Sequence, residues 1–205
     1  MHQTRSQLTK KIPLRRKGTK YVVRTRSHLH SSVPVLIAVR DMLKLAHTAK
    51  EVKEMIKEKV LKLNGREIKD ERESIKLFNV LHADKNYMLT FSDLGKFTLE
   101  ETKSKERLAK VTGKKVLKGK KQQLNLHDGT NILSSEKVKV GDSVYLDLNN
   151  KIAKHVALEK GKECFVISGK YIGKKGKINS IENGFADVHL DDSSAKIEKG
   201  RLTVL

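Results

Sequence analysis

Residues 168–178 read SGKYIGKKGKI, with three glycines (Gly169, Gly173, Gly176) and four lysines (Lys170, Lys174, Lys175, Lys177) in one short stretch. Glycine lets a backbone come close to a ligand, and ammonium groups beside it suit phosphate oxygens. The phosphate loop of a nucleotide hydrolase needs four residues between its glycines, then Lys and Ser or Thr. Here three residues separate Gly169 from Gly173, Lys174-Lys175 follows, and the hydroxyl that would hold magnesium is missing. The dinucleotide pattern fails as well, because neither Gly173 nor Gly176 has a glycine two residues before it, and Ile178 onward reads as a strand where that pattern needs a helix. The chemistry that remains is a grip on the phosphate backbone of a nucleic acid.

Other reactive side chains have no partners in sequence. His28 and His30 stand in a polar stretch without nearby Cys, Asp or Glu, and read as solvated or RNA-contacting imidazoles. His127-Asp128 is half of a triad with no nucleophile motif to complete it. The single cysteine, Cys164, excludes an intrachain disulfide and a cysteine-based zinc site. It lies in the apolar run Cys164-Phe165-Val166-Ile167 and reads as a core thiol. No metal, cofactor or small-molecule substrate is expected.

Charge strengthens the nucleic-acid reading. The chain carries 44 Lys+Arg against 24 Asp+Glu, a formal net charge of +20 over 205 residues. Such an excess repels itself in a compact state and favours a polyanionic partner. Residues 1–30 hold nine basic residues, among them Arg15, Arg16, Lys17, Arg24 and Arg26, and no acid. They predict a basic arm that does not fold alone, with Ile12-Pro13 and Tyr21-Val22-Val23 as candidate anchors. A second lysine cluster, Lys118, Lys120 and Lys121 around Gly119, joins two expected strands. Aromatic residues are only 4% and Trp is absent, so stacking on unpaired bases is poorly supplied. The expected partner is folded RNA read through its shape and backbone. The longest apolar stretch, residues 33–39, is too short to span a bilayer, and the N-terminus lacks the apolar segment of a signal peptide. No membrane partner and a cytoplasmic location are expected.

The elements that would position these residues follow from period and turn chemistry. Residues 32–46 predict a helix with Pro34 in its first turn and Val35, Leu36, Val39, Met42 and Leu43 on one face. Thr48-Ala49-Lys50-Glu51 is a capping box that starts a second helix. Asn64-Gly65 predicts a tight hairpin whose two central residues need positive φ. Strands are expected at residues 77–81 and 87–91, and a weak helix over 98–110, started by Thr98-Leu99-Glu100-Glu101. Thereafter the pattern is all β, with strands at 123–126, 131–133, 144–148, 163–167, 177–181, 185–190 and 202–205, separated by turn pairs such as Asp128-Gly129 and Asn183-Gly184.

At this point the chain resembles a known family. The two-helix and hairpin unit, from VPVLIAVRDMLKLAHTAKEVKEMI to VLKLNGREIKD, looks like the small S-four RNA-binding domain of many translation proteins. QQLNLHDGTNI followed by KVGDSVYLDL resembles the central domain of one ribosomal protein family, and FVISGKYIGKKGKI resembles a KOW motif of strand, basic glycine loop and strand. Their order is that of the archaeal and eukaryotic small-subunit ribosomal protein family S4e. The family usually has a tryptophan in the arm, where this chain has Ile12, and its Pro- and Gly-rich stretch appears here as RTRSHLHSS.

The resemblance implies an α+β multidomain fold. A basic arm (1–30) would precede an S-four-like domain (31–97), a central β domain (98–160) and an SH3-like KOW barrel (161–205). It implies a structural constituent of the small ribosomal subunit, not an enzyme, with small-subunit rRNA and neighbouring ribosomal proteins as partners. Arg15, Arg16, Lys17, Arg24 and Arg26 would thread between RNA helices. Arg40, Lys44, Thr48, Lys50, Lys53, Asn64, Gly65 and Arg66 would form the S-four surface, and Lys118, Lys120, Lys121, Lys170, Lys174, Lys175 and Lys177 would clamp RNA backbone. The rival readings are an RNA-modifying enzyme with an S-four domain and a transcription elongation factor with a KOW domain. The first needs a larger catalytic domain, and the second an α/β domain where this sequence reads as β.

Overall fold

Antiparallel pairing organises nearly every element, and helices are few. The computed structural model describes residues 2–104, 106–117, 121–190 and 193–205. The chain divides into two compact units, Met1–Lys105 and Glu106–Leu205.

In the first unit, β1 (His2–Thr4) pairs with β2 (Tyr21–Val23). β3 (Ser32–Pro34) leads directly into α1 (Val35–Ile37), which continues as a π-helical stretch over Ala38–Met42. The expected helix over 32–46 therefore starts later, with Pro34 at its N-cap, because residues 32–34 pair with β6 (Ser74–Lys76). Its apolar face is as expected at Val35, Leu36 and Val39, each 2% exposed or less. α2 (Ala49–Lys57) begins at Thr48, whose hydroxyl accepts from Glu51 N at 3.2 Å. The Glu51 carboxylate accepts from His47 N at 2.8 Å, one residue earlier than a capping box prescribes.

β4 (Lys62–Leu63) and β5 (Arg66–Glu67) flank Asn64 and Gly65, at φ 51° and 81°, the turn that the Asn-Gly pair predicts. β7 (Val80–His82), β8 (Asn86–Phe91) and β9 (Phe97–Glu101) complete a five-stranded sheet in the order β5-β4-β7-β8-β9.

The helix expected over 98–110 is not formed. Residues 97–101 pair with β8 in register Phe91↔Phe97 to Tyr87↔Glu101, and the Phe91 and Phe97 rings stack at 4.7 Å. Buried aromatic pairing across the sheet outweighs the local helical preference of Leu-Glu-Glu. The arm is also ordered by contacts within its own unit. Ile12 and Val22 are buried, Phe97 N donates to Lys11 O at 2.8 Å and Arg26 N to Arg72 O at 3.0 Å, while Pro13 and Tyr21 stay exposed.

The second unit contains two five-stranded antiparallel sheets. β10 (Arg107–Val116), β11 (Gln122–Leu126), β12 (Asn131–Ser134), β13 (Ser143–Leu146) and β14 (Ile152–Val156) are ordered β12-β11-β10-β13-β14. The end of the segment read as weakly helical, residues 107–110, lies in β10 and pairs with β13. The other sheet runs β18-β17-β16-β15-β19, from β15 (Glu163–Val166), β16 (Lys175–Glu182), β17 (Phe185–Leu190), β18 (Ser193–Glu198) and β19 (Leu202–Val204). Its core gathers Cys164, Val166, Ile178, Val188, Leu190, Leu202 and Val204, joined by Val156 from β14 and flanked by Tyr145 from β13.

Polar ties join the two sheets as well. Lys110 Nζ, in a residue 4% exposed, donates to Lys199 O at 2.6 Å, Gly200 O at 2.8 Å and Leu202 O at 2.5 Å. Val204 N donates to Ser143 Oγ at 3.0 Å. Asp142 accepts from Lys139 N, His155 Nε2 and Leu158 N. Burial pushes its carboxyl pKa up, but the Leu158 and Lys139 N–H groups and the His155 ring outweigh this and hold it below the ordinary value.

Candidate nucleic-acid interface

The glycine and lysine loop is built by the strands on either side of it. Val166 N donates to Lys174 O at 3.0 Å and Gly173 N to Val166 O at 2.9 Å, which closes residues 167–173 into a loop at the end of β15. Gly169 and Gly173 have φ of 97° and 88°, a region that residues with a Cβ rarely adopt. Gly176 has a different need. A Cβ there would sit 2.5 Å from His189 O and 2.7 Å from Val188 Cγ1, so β16 can lie against β17 only with residue 176 bare.

This backbone displays cations. Lys175 and Lys177 are exposed, two residues apart on β16 opposite Phe165 and Glu163, and so share one face of the strand. Lys170 is exposed, with Nζ 5.5 Å from the Tyr171 ring centroid, and Lys174 is half-buried. Of the four lysines that the sequence singles out there, Lys170 thus stands in the loop, Lys174 at its end, and Lys175 and Lys177 on the strand that follows. In the other sheet, Leu117 N donates to Lys121 O at 2.8 Å, and Lys121 is exposed. Lys118 and Lys120 lie outside the described residues.

In the first unit the expected residues differ in what they already touch. Arg15, Arg16, Lys17, Lys44 and Lys50 are exposed, and Arg24 is half-buried. Arg26 pairs with Asp70 at 3.5 Å, Arg40 with Asp41 at 2.8 Å, Lys53 with Glu71 at 3.6 Å and Arg66 with Glu73 at 2.5 Å. Thr48 caps α2, and Asn64 Oδ1 accepts from Val80 N at 2.9 Å, so both have structural work. Gly65 completes its turn. Lys53 and Lys57 border an open cavity of about 350 Å³ with Lys69, Asp70, Glu71 and Arg72. There the Arg72 guanidinium outweighs the effect of burial and holds the Asp70 carboxyl below its usual pKa.

The half-triad is taken up structurally. Asp128 is ion-paired with buried Arg107 and accepts from Thr130, while His127 Nδ1 accepts from Lys110 N. Burial pushes the Cys164 thiol up to about 11, so it holds its proton in the core. Among the described residues no group of three His, Cys, Asp or Glu is placed to hold a metal, and no helix is long and apolar enough to cross a membrane. Arg5, Lys20 and Lys110 are cations that the sequence pattern did not single out. Arg5 and Lys20 could have been found as members of the acid-free arm; Lys110 has no local signal.

Comparison with known proteins bears on what such a surface serves. The family described as ribosomal family S4e matches residues 83–152. The small ribosomal subunit protein eS4 of Archaeoglobus fulgidus is 33% identical over 189 residues, covering 89% of this chain and 80% of that protein. The chain belongs to the S4e family. A second S4e relative, eS4 of Methanococcus maripaludis, is 35% identical over 187 residues, covering 83% of this chain and 77% of its own length. The fold agrees with the crystal structure of the 30S ribosomal protein S4e from Thermoplasma acidophilum, with a TM-score of 0.73 over 85% of this chain and 95% of that one, at 23% identity.

Proposed function

We propose that this chain is a structural constituent of the small ribosomal subunit, acts in translation by binding folded rRNA, and catalyses no reaction. The observation that carries this reading is the identity to eS4 proteins along most of their length. The display of Lys170, Lys175 and Lys177 beside glycine turns supports it, because exposed ammonium groups on a rigid backbone suit phosphate and carry no base preference. In this reading residues 161–205 act as a KOW barrel, and the central domain, expected from 98, runs over 106–160, because residues 97–101 pair in the first unit's sheet. Residues 31–105 then act as the S-four-like domain, and 1–30 as the basic arm. Lys44, Lys50 and Lys53 with the Asn64-Gly65-Arg66 turn face RNA in the first unit; Lys118, Lys120, Lys121, Lys174 and the barrel lysines do so in the second. Neighbouring ribosomal proteins complete the surroundings, in the cytoplasm.

Sedimentation tests this. A tagged copy expressed in its host should travel with small subunits and stay there through a moderate-salt wash. A copy that remains at the top of the gradient overturns the reading.

A further inference from the structure

Residues 1–30 contain no carboxylate, so Arg5 has no acid within its own segment. Its guanidinium reaches oxygens of the chain instead. Nε donates to Thr19 O at 2.8 Å, Nη1 to Arg15 O at 2.5 Å and Nη2 to Thr19 Oγ1 at 3.0 Å. Arg5 N adds a bond to Lys20 O at 2.9 Å, beside the pairing of β1 with β2. One side chain thus staples both ends of a five-residue loop. Gly18 sits in that loop at φ 145°, an angle that favours glycine, and a Cβ on it would lie 2.9 Å from Arg5 Nη2, so a side chain there would push the guanidinium aside.

The stapled loop holds cations together. Arg16, Lys17 and Lys20, with Thr4 and Ser6, line an open cavity of about 510 Å³. Thr4 Oγ1 and Ser6 Oγ lie 3.1 Å apart and share one hydrogen bond, which leaves a second hydroxyl hydrogen to offer an acceptor. Cations gathered without counter-charge repel one another. An anionic group with several acceptor oxygens relieves the repulsion and accepts the hydroxyl hydrogen, and a phosphodiester has both properties.

We propose that this loop is a preformed site for a phosphodiester of RNA, with Arg16, Lys17 and Lys20 on the anion and Arg5 as the positioning residue. The site rests on the reading of the chain as an RNA binder, and adds where the arm grips and what shapes the grip. It replaces an arm threaded in extended form with a folded loop.

The test compares binding of an in vitro transcript of small-subunit rRNA by the full chain, Arg5→Lys, Gly18→Ala and the double variant Arg16→Ala/Lys17→Ala, each across a salt series. Arg5→Lys keeps the charge but loses the planar fork that spans Arg15 and Thr19. Arg5→Lys and Gly18→Ala should each weaken binding about tenfold, the scale of one well-placed charged hydrogen bond. They should also lower the salt slope by roughly one phosphate, about 0.7 to 0.9 log units, and Arg5→Lys should do so with melting unchanged. Trypsin should cut faster after Arg16 and Lys17 in both. Wild-type affinity and slope in Arg5→Lys and Gly18→Ala, with loss in the double variant, overturns the stapled site and leaves RNA binding by the arm intact. A flat salt dependence in the unaltered chain overturns the RNA reading itself.

Discussion

Lys110 keeps an ammonium inside the second unit, and its three hydrogens meet three main-chain carbonyls. Burial lowers its pKa from 10.5 to about 8, with Glu198 pulling weakly the other way. Between those values the unfolded chain holds a proton that the folded chain releases, so this residue makes stability rise with pH across that window. At about 1.4 kcal/mol per unit the gain is roughly 3 kcal/mol at most. Denaturant unfolding of wild type and Lys110→Met from pH 7 to 10.5 should therefore show the gap widening in favour of wild type; a constant gap would mean an ordinary lysine pKa. The partners of Lys110 lie 89 to 92 residues away, which is why no local pattern in the sequence points to it. Gly176 is the opposite case, because its place in a basic glycine loop is plain in the sequence. What only the structure adds is the cause, a strand that touches it at His189 O. Gly176→Ala should cost about 1 to 3 kcal/mol, the range of overpacking, and melting curves measure it.

Among the elements, those closed by short-range chemistry were legible. The Asn64-Gly65 hairpin, the Thr48 start of α2 and the strand Phe185–Leu190 stand where turn residues and alternation put them. Elements decided by distant partners were not. Thr98-Leu99-Glu100-Glu101 resembles a helix start, yet it pairs with residues 87–90 of β8. Ser32–Pro34 becomes a strand because of Ser74–Lys76. The candidate interface divides the same way, since exposed lysines around turn glycines were readable, whereas the carboxylates already bound to Arg40 and Arg66 were not. At this scale, replacing Lys170, Lys175 and Lys177 by Ala should shift stability by less than about 0.5 kcal/mol, as exposed positions do. The same change should weaken rRNA binding and flatten its salt dependence by about 0.7 to 0.9 log units for each phosphate no longer neutralised. A variant that melts early and binds normally would reverse the assignment of this loop from binding to folding.

For the whole molecule, the charge of +20 against 4% aromatics predicts affinity dominated by counterion release, with a steep fall in rRNA binding from low to moderate salt in titrations of the intact chain. The two units predict separate foldability. Residues 106–205, made alone, should fold and unfold in one transition, because Lys110, Ser143 and Val156 make the core and polar ties of one sheet depend on the other. Hydrogen exchange in β10 and in β17 should then report the same opening free energy. Different values would divide the unit at residues 157–162.

The Lys110 bonds also set an order in time. Its carbonyl partners are made some 90 residues after it. At about 5 to 20 residues per second of synthesis, the amine waits on the order of 5 to 18 seconds before Lys199, Gly200 and Leu202 exist to receive it. During that interval β10 and β13 can pair, but the amine stays open to water and to any polyanion nearby. The cation that later ties two sheets together thus spends its first seconds on the nascent chain without the carbonyls that will hold it.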